Sequence, residues 1–302
     1  MTAAPTVVPA ESPHIARRLS HRRMILRRFV RNPIAVAGVL VIVAMILLAV
    51  LGPYVLPWKY DDVDLGAYLQ PPSARHWFGT TQSGRDVLAL TVRGLGKSLI
   101  IGFLVAFGST GIAALVGTSM AYIGGWYASV MLWVVDLLLV IPSFLLVAIV
   151  TSGSGTYAWV WLVLLLAAFG WMLSARVVRS LTLSIKEREY ILAARYMGVS
   201  TPRIIARHIM PNIASLLIID ATLNVGYAIL SETGLSYFGF GVQSPDTSLG
   251  TLLSEGARTA TTFPWIFLAP SLVLIVLVLS VNAVGDGLRD ALDPSGGRGG
   301  HA

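Results

Sequence analysis

Long apolar runs separated by short polar breaks dominate the chain. Ile34 to Trp58, Ser98 to Val135, Leu137 to Ala175 and Thr259 to Gly285 contain no Asp, Glu, Lys or Arg. A further apolar stretch lies between Ile213 and Leu230 and carries one charge, Asp220. A helix needs about 20 apolar residues to cross a bilayer. The run from Ser98 to Ala175, interrupted only by Asp136, is long enough for three crossings, with breaks at "GGWYAS" and "TSGSGTY". The pattern predicts six spans near 34–56, 98–121, 128–150, 157–175, 213–231 and 264–284. Pro142 and Pro270 fall inside two of them and predict kinks.

Composition agrees with that pattern. The 302 residues are 55% apolar and only 12% charged, about half the charge of a soluble domain. Mean hydropathy is +0.75. The net charge of +7 is distributed as in a membrane protein. Seven Arg lie in the first 31 residues and seven Lys or Arg lie from Arg176 to Arg207, whereas Glu232 to Phe263 holds one, Arg258. Cytoplasmic loops collect Lys and Arg. This places the N-terminus, the loop 176–212 and the C-terminus in the cytoplasm. The loop 57–97 is then external, although it holds five Lys or Arg beside four Asp.

The expected organisation is a basic tail over 1–33, a membrane domain over 34–284 and a C-terminal tail over 285–302. The first apolar segment begins after Arg31 and is too long for a signal-peptide core, so it reads as an uncleaved anchor. Residues 1 to 13 are small and contain Pro, the composition of an unstructured tail. With no cysteine, the chain has no disulfide framework and no thiolate metal site.

The loop 176–212 contains "ILAARYMGVSTPRIIARHIMPN". Good helix formers run from Lys186 to Met197, and Gly198 suits a left-handed helix end. Thr201 is placed to cap a second helix, with Pro202 in its first turn. Pro211 disfavours helix at Met210 and marks the start of the fifth span. Two short helices around a Gly turn, with Arg203, Arg207 and His208 on the second, also have the outline of a DNA-binding helix-turn-helix. Attachment to the membrane at both ends opposes that use. A helix resting on headgroups is a second alternative.

Another segment invites misreading. "RGLGKSL" has the Gly96-Lys97-Ser98 ending of a P-loop, but the Gly required five positions before Gly96 is Thr91. Arg93 and Lys97 read instead as headgroup-level residues of an interfacial helix. His76 in "HWFG" reads as a surface residue. Asp136 and Asp220 lie inside predicted spans, where charges face a protein interior or a water path. Each is a candidate for a translocation path or for a structural contact. Two alternative readings of the whole chain follow: a secondary transporter using either carboxylate as a proton site, and a membrane-tethered DNA-binding regulator using the 191–212 segment.

"EYILAARYMGVSTPRIIARHIMPN" resembles the loop signature of ABC importer permeases. Ala193, Ala194, Gly198 and Pro211 match it. Leu192 stands where the family has Glu, His208 where it has Ile and Met210 where it has Leu. "HWFGTTQSGRDVLALTVRGLGKSL", "YIGGWYASVMLWVVDLLLVIPS", "LSYFGFGVQSP" and "NAVGDGLRDALDP" are similar to segments of the dipeptide, oligopeptide and nickel branch, with Trp133 replacing a usual Arg. The short first external loop and the "GDGLRDALDP" ending resemble the second of the two permease subunits in that branch.

The resemblance implies an all-α membrane protein of about six spans with a cytoplasmic two-helix coupling loop. It implies a multi-pass protein of the bacterial cytoplasmic membrane. The expected partners are a sister permease, two cytoplasmic ATPases and an extracytoplasmic solute-binding protein. ATP and Mg belong to the ATPases, so this chain is not itself an enzyme. In the loop, Ala193 and Ala194 would permit close approach and Gly198 would turn the chain. Arg195, Arg203 and Arg207 would face acidic groups of the ATPase, and Pro211 would end the motif. The family carries dipeptides, oligopeptides, nickel, heme or glutathione.

Overall fold

A computed structural model describes residues 21–292. The segment 1–13 and the last ten residues lie outside them. Among the described residues, eleven α-helices follow in order: α1 (His21–Val30), α2 (Pro33–Val55), α3 (Val87–Ile123), α4 (Gly125–Val140), α5 (Ser143–Ser152), α6 (Ala158–Lys186), α7 (Glu189–Tyr196), α8 (Thr201–Ile204), α9 (Met210–Tyr237), α10 (Leu249–Ala257) and α11 (Pro264–Leu292). A π-helical stretch, Ile205–Ile209, joins α8 to α9. Among the described residues, five helical segments are long and apolar enough to span a membrane. The pair α4–α5, bent by 70°, makes a sixth if counted as one crossing.

Local chemistry sets the helix limits. Asn32 caps α2 by accepting from the Ile34 and Ala35 amides, and Pro33 opens the first turn, where no intrahelical donor is needed. Asp86 caps α3 by accepting from Ala89 N at 2.8 Å. That helix therefore begins eleven residues before the apolar run at Ser98, and Arg93 and Lys97 lie inside it. The expected kink at Pro142 is present as the break between α4 and α5. Pro270 lies within α11, which continues through it.

α3 forms the centre, packed most extensively along α6 and then along α9. Small residues permit the closest approach. A Cβ at Gly117 would stand 2.6 Å from the Ala175 carbonyl oxygen of α6. The outer faces are apolar: on α2, Leu40, Leu51 and Tyr54 are exposed. In water such a surface would demand a partner; on a helix long and apolar enough to cross a membrane it suits a lipid-facing side.

Polar contacts group the loops at two ends. Trp265 donates to the Thr80 carbonyl, Thr151 to the Phe240 carbonyl, and Lys97 lies over the Trp159 ring. One end therefore gathers 56–86, 153–157 and 238–263. At the opposite end Lys186 Nζ donates to the Ala121 carbonyl, and α1 packs on α11.

The region 176–212 differs from its sequence reading in two respects. First, α6 continues to Lys186, so the non-spanning part narrows to Glu187–Ser200. Second, helix does not stop before Pro211. Met210 is helical, with φ −53° and ψ −44°, and its amide bonds to the Ile205 carbonyl five residues back. The wider π turn accommodates a proline that lacks an N–H and crowds the preceding turn. The segment Thr201–Tyr237 is one continuous span candidate. The helix-turn-helix outline therefore has no free recognition helix. Thr201 is also not the cap: it is the first helical residue, Ser200 holds the cap position, and no side-chain bond closes it.

Candidate functional site

The turn between α7 and α8 is built from both its sequence and its base. Gly198 adopts φ +78°, the left-handed conformation that Gly reaches without a Cβ penalty. The Gly198 amide bonds to the Arg195 carbonyl, and the Val199 amide to the Ala194 carbonyl, closing the C-terminus of α7. Beneath the turn, Val178, Ile185, Ile191, Ala194, Ile204 and Ile213 form a buried cluster. It joins the end of α6, both short helices and the start of α9, so the turn is fixed to two spans at once.

The candidate residues divide across that cluster. Ala194 points inward and packs in this chain's own core. Ala193, Arg195, Gly198, Arg203, Arg207 and Pro211 are exposed. None of the three Arg has an ion-pair partner among the described residues. Leu192, in place of the family Glu, is also exposed. Two residues the sequence reading passed over stand beside them: Tyr196 is 89% exposed and Met197 76%. Their signal was available, since a Tyr-Met pair at a loop tip among cations is an unusual exposed apolar patch.

The two intramembrane carboxylates differ. Asp136 of α4 is ion-paired to Arg176 of α6, and both are partly open to the surroundings. Trp133, one turn earlier on α4, is exposed and supplies no cation, so the charge comes from another helix. Asp220 of α9 is more enclosed. Its Oδ1 accepts from Ser174 at 2.7 Å, and its Oδ2 from Thr110 at 2.8 Å and Asn224 at 3.0 Å. These donors belong to α6, α3 and α9. Thr110 also lines an apolar groove of about 740 Å³ between α2, α3, α9 and α11.

At the loop-rich end, tertiary pairs replace the expected headgroup positions. Arg93 and Lys97 reach Asp246 at 2.7 and 2.5 Å, and Arg93 also lies over the Tyr60 ring. Burial pushes the Asp246 carboxyl up, but hydrogen bonds and charge from Lys97 and Arg93 outweigh it and hold the group below the usual carboxylate range. A depressed carboxylate stabilises the fold above its unfolded-state pKa and loses that contribution as pH falls through its folded one. This tie therefore holds across neutral pH and weakens only in acid.

His76 is not a surface residue. It is 1% exposed, stacked on Trp58, with its ring nitrogens 2.9 Å from Asp86 and 3.4 Å from Asp64. It ties the loop to the α3 cap.

Residues 110–296 match the protein family described as binding-protein-dependent transport system inner membrane component. Residues 20–72 match the N-terminal transmembrane domain of oligopeptide transport permease C. The chain is 55% identical over 277 residues to the oligopeptide transport system permease protein OppC of Mycobacterium tuberculosis, covering 91% of this chain and 95% of that one. It is 38% identical over 271 residues to a putative peptide permease protein of Brucella suis, covering 88% and 89%. To the dipeptide transport system permease protein DppC of Alkalihalophilus pseudofirmus it is 34% identical over 294 residues, covering 97% and 96%.

Proposed function

The chain belongs to the family of binding-protein-dependent transport system inner membrane components, and we propose that it forms half of the path by which an ATP-driven importer moves di- and oligopeptides across the cytoplasmic membrane. End-to-end similarity to peptide permeases carries this reading. In it, a sister permease completes the path, two cytoplasmic ATPases hydrolyse ATP with Mg, and an extracytoplasmic solute-binding protein delivers the peptide.

The α7–α8 turn is the docking element for an ATPase. Its exposed face offers Tyr196 and Met197 for burial, Ala193 for close approach, and Arg195, Arg203 and Arg207 for carboxylates. The cluster below it passes any displacement to α6 and α9 together. Through α9 the displacement reaches Asp220 and the apolar groove. Asp136 and Asp220 support the path's walls by holding α4 to α6, and α9 to α3 and α6. A π turn at the head of α9 is a natural place for such a helix to yield.

The Arg distribution supports an orientation with both termini and the α7–α8 turn cytoplasmic and the loop-rich end extracytoplasmic. A reporter active only in the cytoplasm is expected to be active when fused after Arg188 and silent after Gln243; the reverse pattern overturns the topology. Uptake of a labelled oligopeptide by the complete complex is expected to stop when ATP hydrolysis is blocked and to persist when the proton gradient is collapsed. The opposite result makes the chain a secondary transporter.

A further inference from the structure

Both ends of an extracytoplasmic segment are wired to one buried carboxyl group. Glu232 of α9 is 0% exposed and has no ion-pair partner among the described residues. Ser236 Oγ donates to its Oε1 at 2.6 Å, and Ser98 Oγ of α3 donates to its Oε2 at 3.1 Å. Each serine in turn accepts a backbone N–H: Ser236 from Val242 at 3.3 Å, Ser98 from Leu249 at 3.2 Å. A hydroxyl has a single proton to give, so each chain of bonds runs one way, from segment amide to serine to carboxyl. Ser248 follows the same order: it accepts from Thr251 N and donates to Ser236 at 3.4 Å.

Val242–Leu249 is thus a strap with both anchors on Glu232. Asp246 at its middle is gripped by Arg93 and Lys97, in the α3 turn before Ser98. The strap forms one wall of a polar cavity of about 470 Å³, with Tyr60, Arg85 and Glu255 on the other sides. Burial pushes the Glu255 carboxyl up against the opposing charge of Arg85 and Arg258. A buried carboxyl with no cation is costly to retain, and the hydroxyls that bond to it belong to serines that anchor the strap or lie within it.

We propose that Glu232 is a positioning residue that seats the Val242–Leu249 strap on α3, and that this seating is required for the outer face to respond to a docked solute-binding protein. The second half rests on the transport reading above; the first half does not.

The chain has no native cysteine, so Thr247→Cys is a single buried reporter within the strap. Its labelling by a membrane-impermeant maleimide is measured in the complete complex, with this chain resolved on a gel. With Glu232 in place, labelling is expected to be slow. Glu232→Ala and Glu232→Met are each expected to speed it at least about tenfold, because both serines lose their acceptor. Glu232→Gln should lie between, since its one oxygen still serves one serine. Met fills nearly the same space, so slow labelling of Glu232→Met would reduce Glu232 to a space-filling residue and overturn the proposal.

Should the Glu232 variants fail to assemble, Ser98→Ala gives the same comparison at one anchor, and an unchanged labelling rate there overturns the anchor. ATP hydrolysis stimulated by the binding protein is expected to fall in the order in which labelling rises. Full stimulation with a fast-labelling strap overturns the transport half. Failure of the transport reading itself would appear in the unaltered chain, as uptake independent of the ATPases.

Discussion

Gly198→Asp is expected to give a chain that inserts and folds, yet supports less than about one hundredth of normal ATP-driven uptake, a loss equivalent to about 2.7 kcal/mol. Within the chain the change is mild. The left-handed conformation at φ +78° costs a residue with a side chain on the order of 1–2 kcal/mol, and Asp is among those that tolerate it best. A Cβ at this position meets nothing within 4 Å, so no neighbour must move. The effect must arise where the turn meets a partner. A carboxylate carried into a docked, desolvated contact costs several kcal/mol unless a cation is placed for it. Gly198→Asn has nearly the same backbone preference without the charge, and is expected to retain part of the activity. Peptide-stimulated ATP hydrolysis by the reconstituted complex, wild type beside both variants, is the measurement. Undiminished hydrolysis and uptake in Gly198→Asp would remove the α7–α8 turn as the coupling element. A turn that merely rests on headgroups would show that result.

Most of the fold was legible because apolar run length is a direct physical readout of a membrane span. Two span limits differ for one reason: a charged residue does not end a helix when a cap or a partner accommodates it. α3 begins at Val87 because Asp86 caps it, and Arg93 and Lys97 are tolerated inside it because Asp246 neutralises them from 149 or more positions along the chain. α6 runs on to Lys186 because its last turns bury Val178 and Ile185 against the α7–α8 module. Pro211 was read by its local preference, and the π turn before it is a tertiary solution that no dipeptide rule contains. His76 likewise needed its partners to be seen: ten and twelve residues separate it from Asp86 and Asp64.

The candidate site was legible in part. Gly198 carries a backbone requirement that the sequence states by itself. Ala194 does not: only the helix register shows that it faces the chain's own core. Glu232 was passed over because it falls just beyond the predicted fifth span. Its meaning lies in hydroxyls at positions 98 and 236, only one of which is within a helical turn of it.

Asp220 separates a structural carboxylate from a transporting one, and the expected outcome is a split between two substitutions. Asp220→Ala removes the acceptor shared by Ser174, Thr110 and Asn224, on three different helices. The two hydroxyls can turn back to carbonyls of their own helices. The Asn224 amide keeps Thr110 Oγ1 as an acceptor at 3.3 Å, so the direct loss of hydrogen bonding is modest. More important, α3, α6 and α9 lose their common point. Asp220→Ala is therefore expected to lower the complex's thermal midpoint and to cut uptake at least about tenfold, on the order of 1.4 kcal/mol.

Asp220→Asn keeps the shape. Its oxygen can serve Thr110 and Asn224, while its amide donates to the Ser174 oxygen, since a hydroxyl accepts as readily as it donates. Assembly should survive, with uptake within about twofold of normal for one altered hydrogen bond. Uptake by this variant, like that by the unaltered chain, should not depend on the proton gradient. If Asp220→Asn assembles normally yet loses transport as completely as Asp220→Ala, the charge itself acts on the cargo or on a proton. The tie among three helices would then be incidental to it.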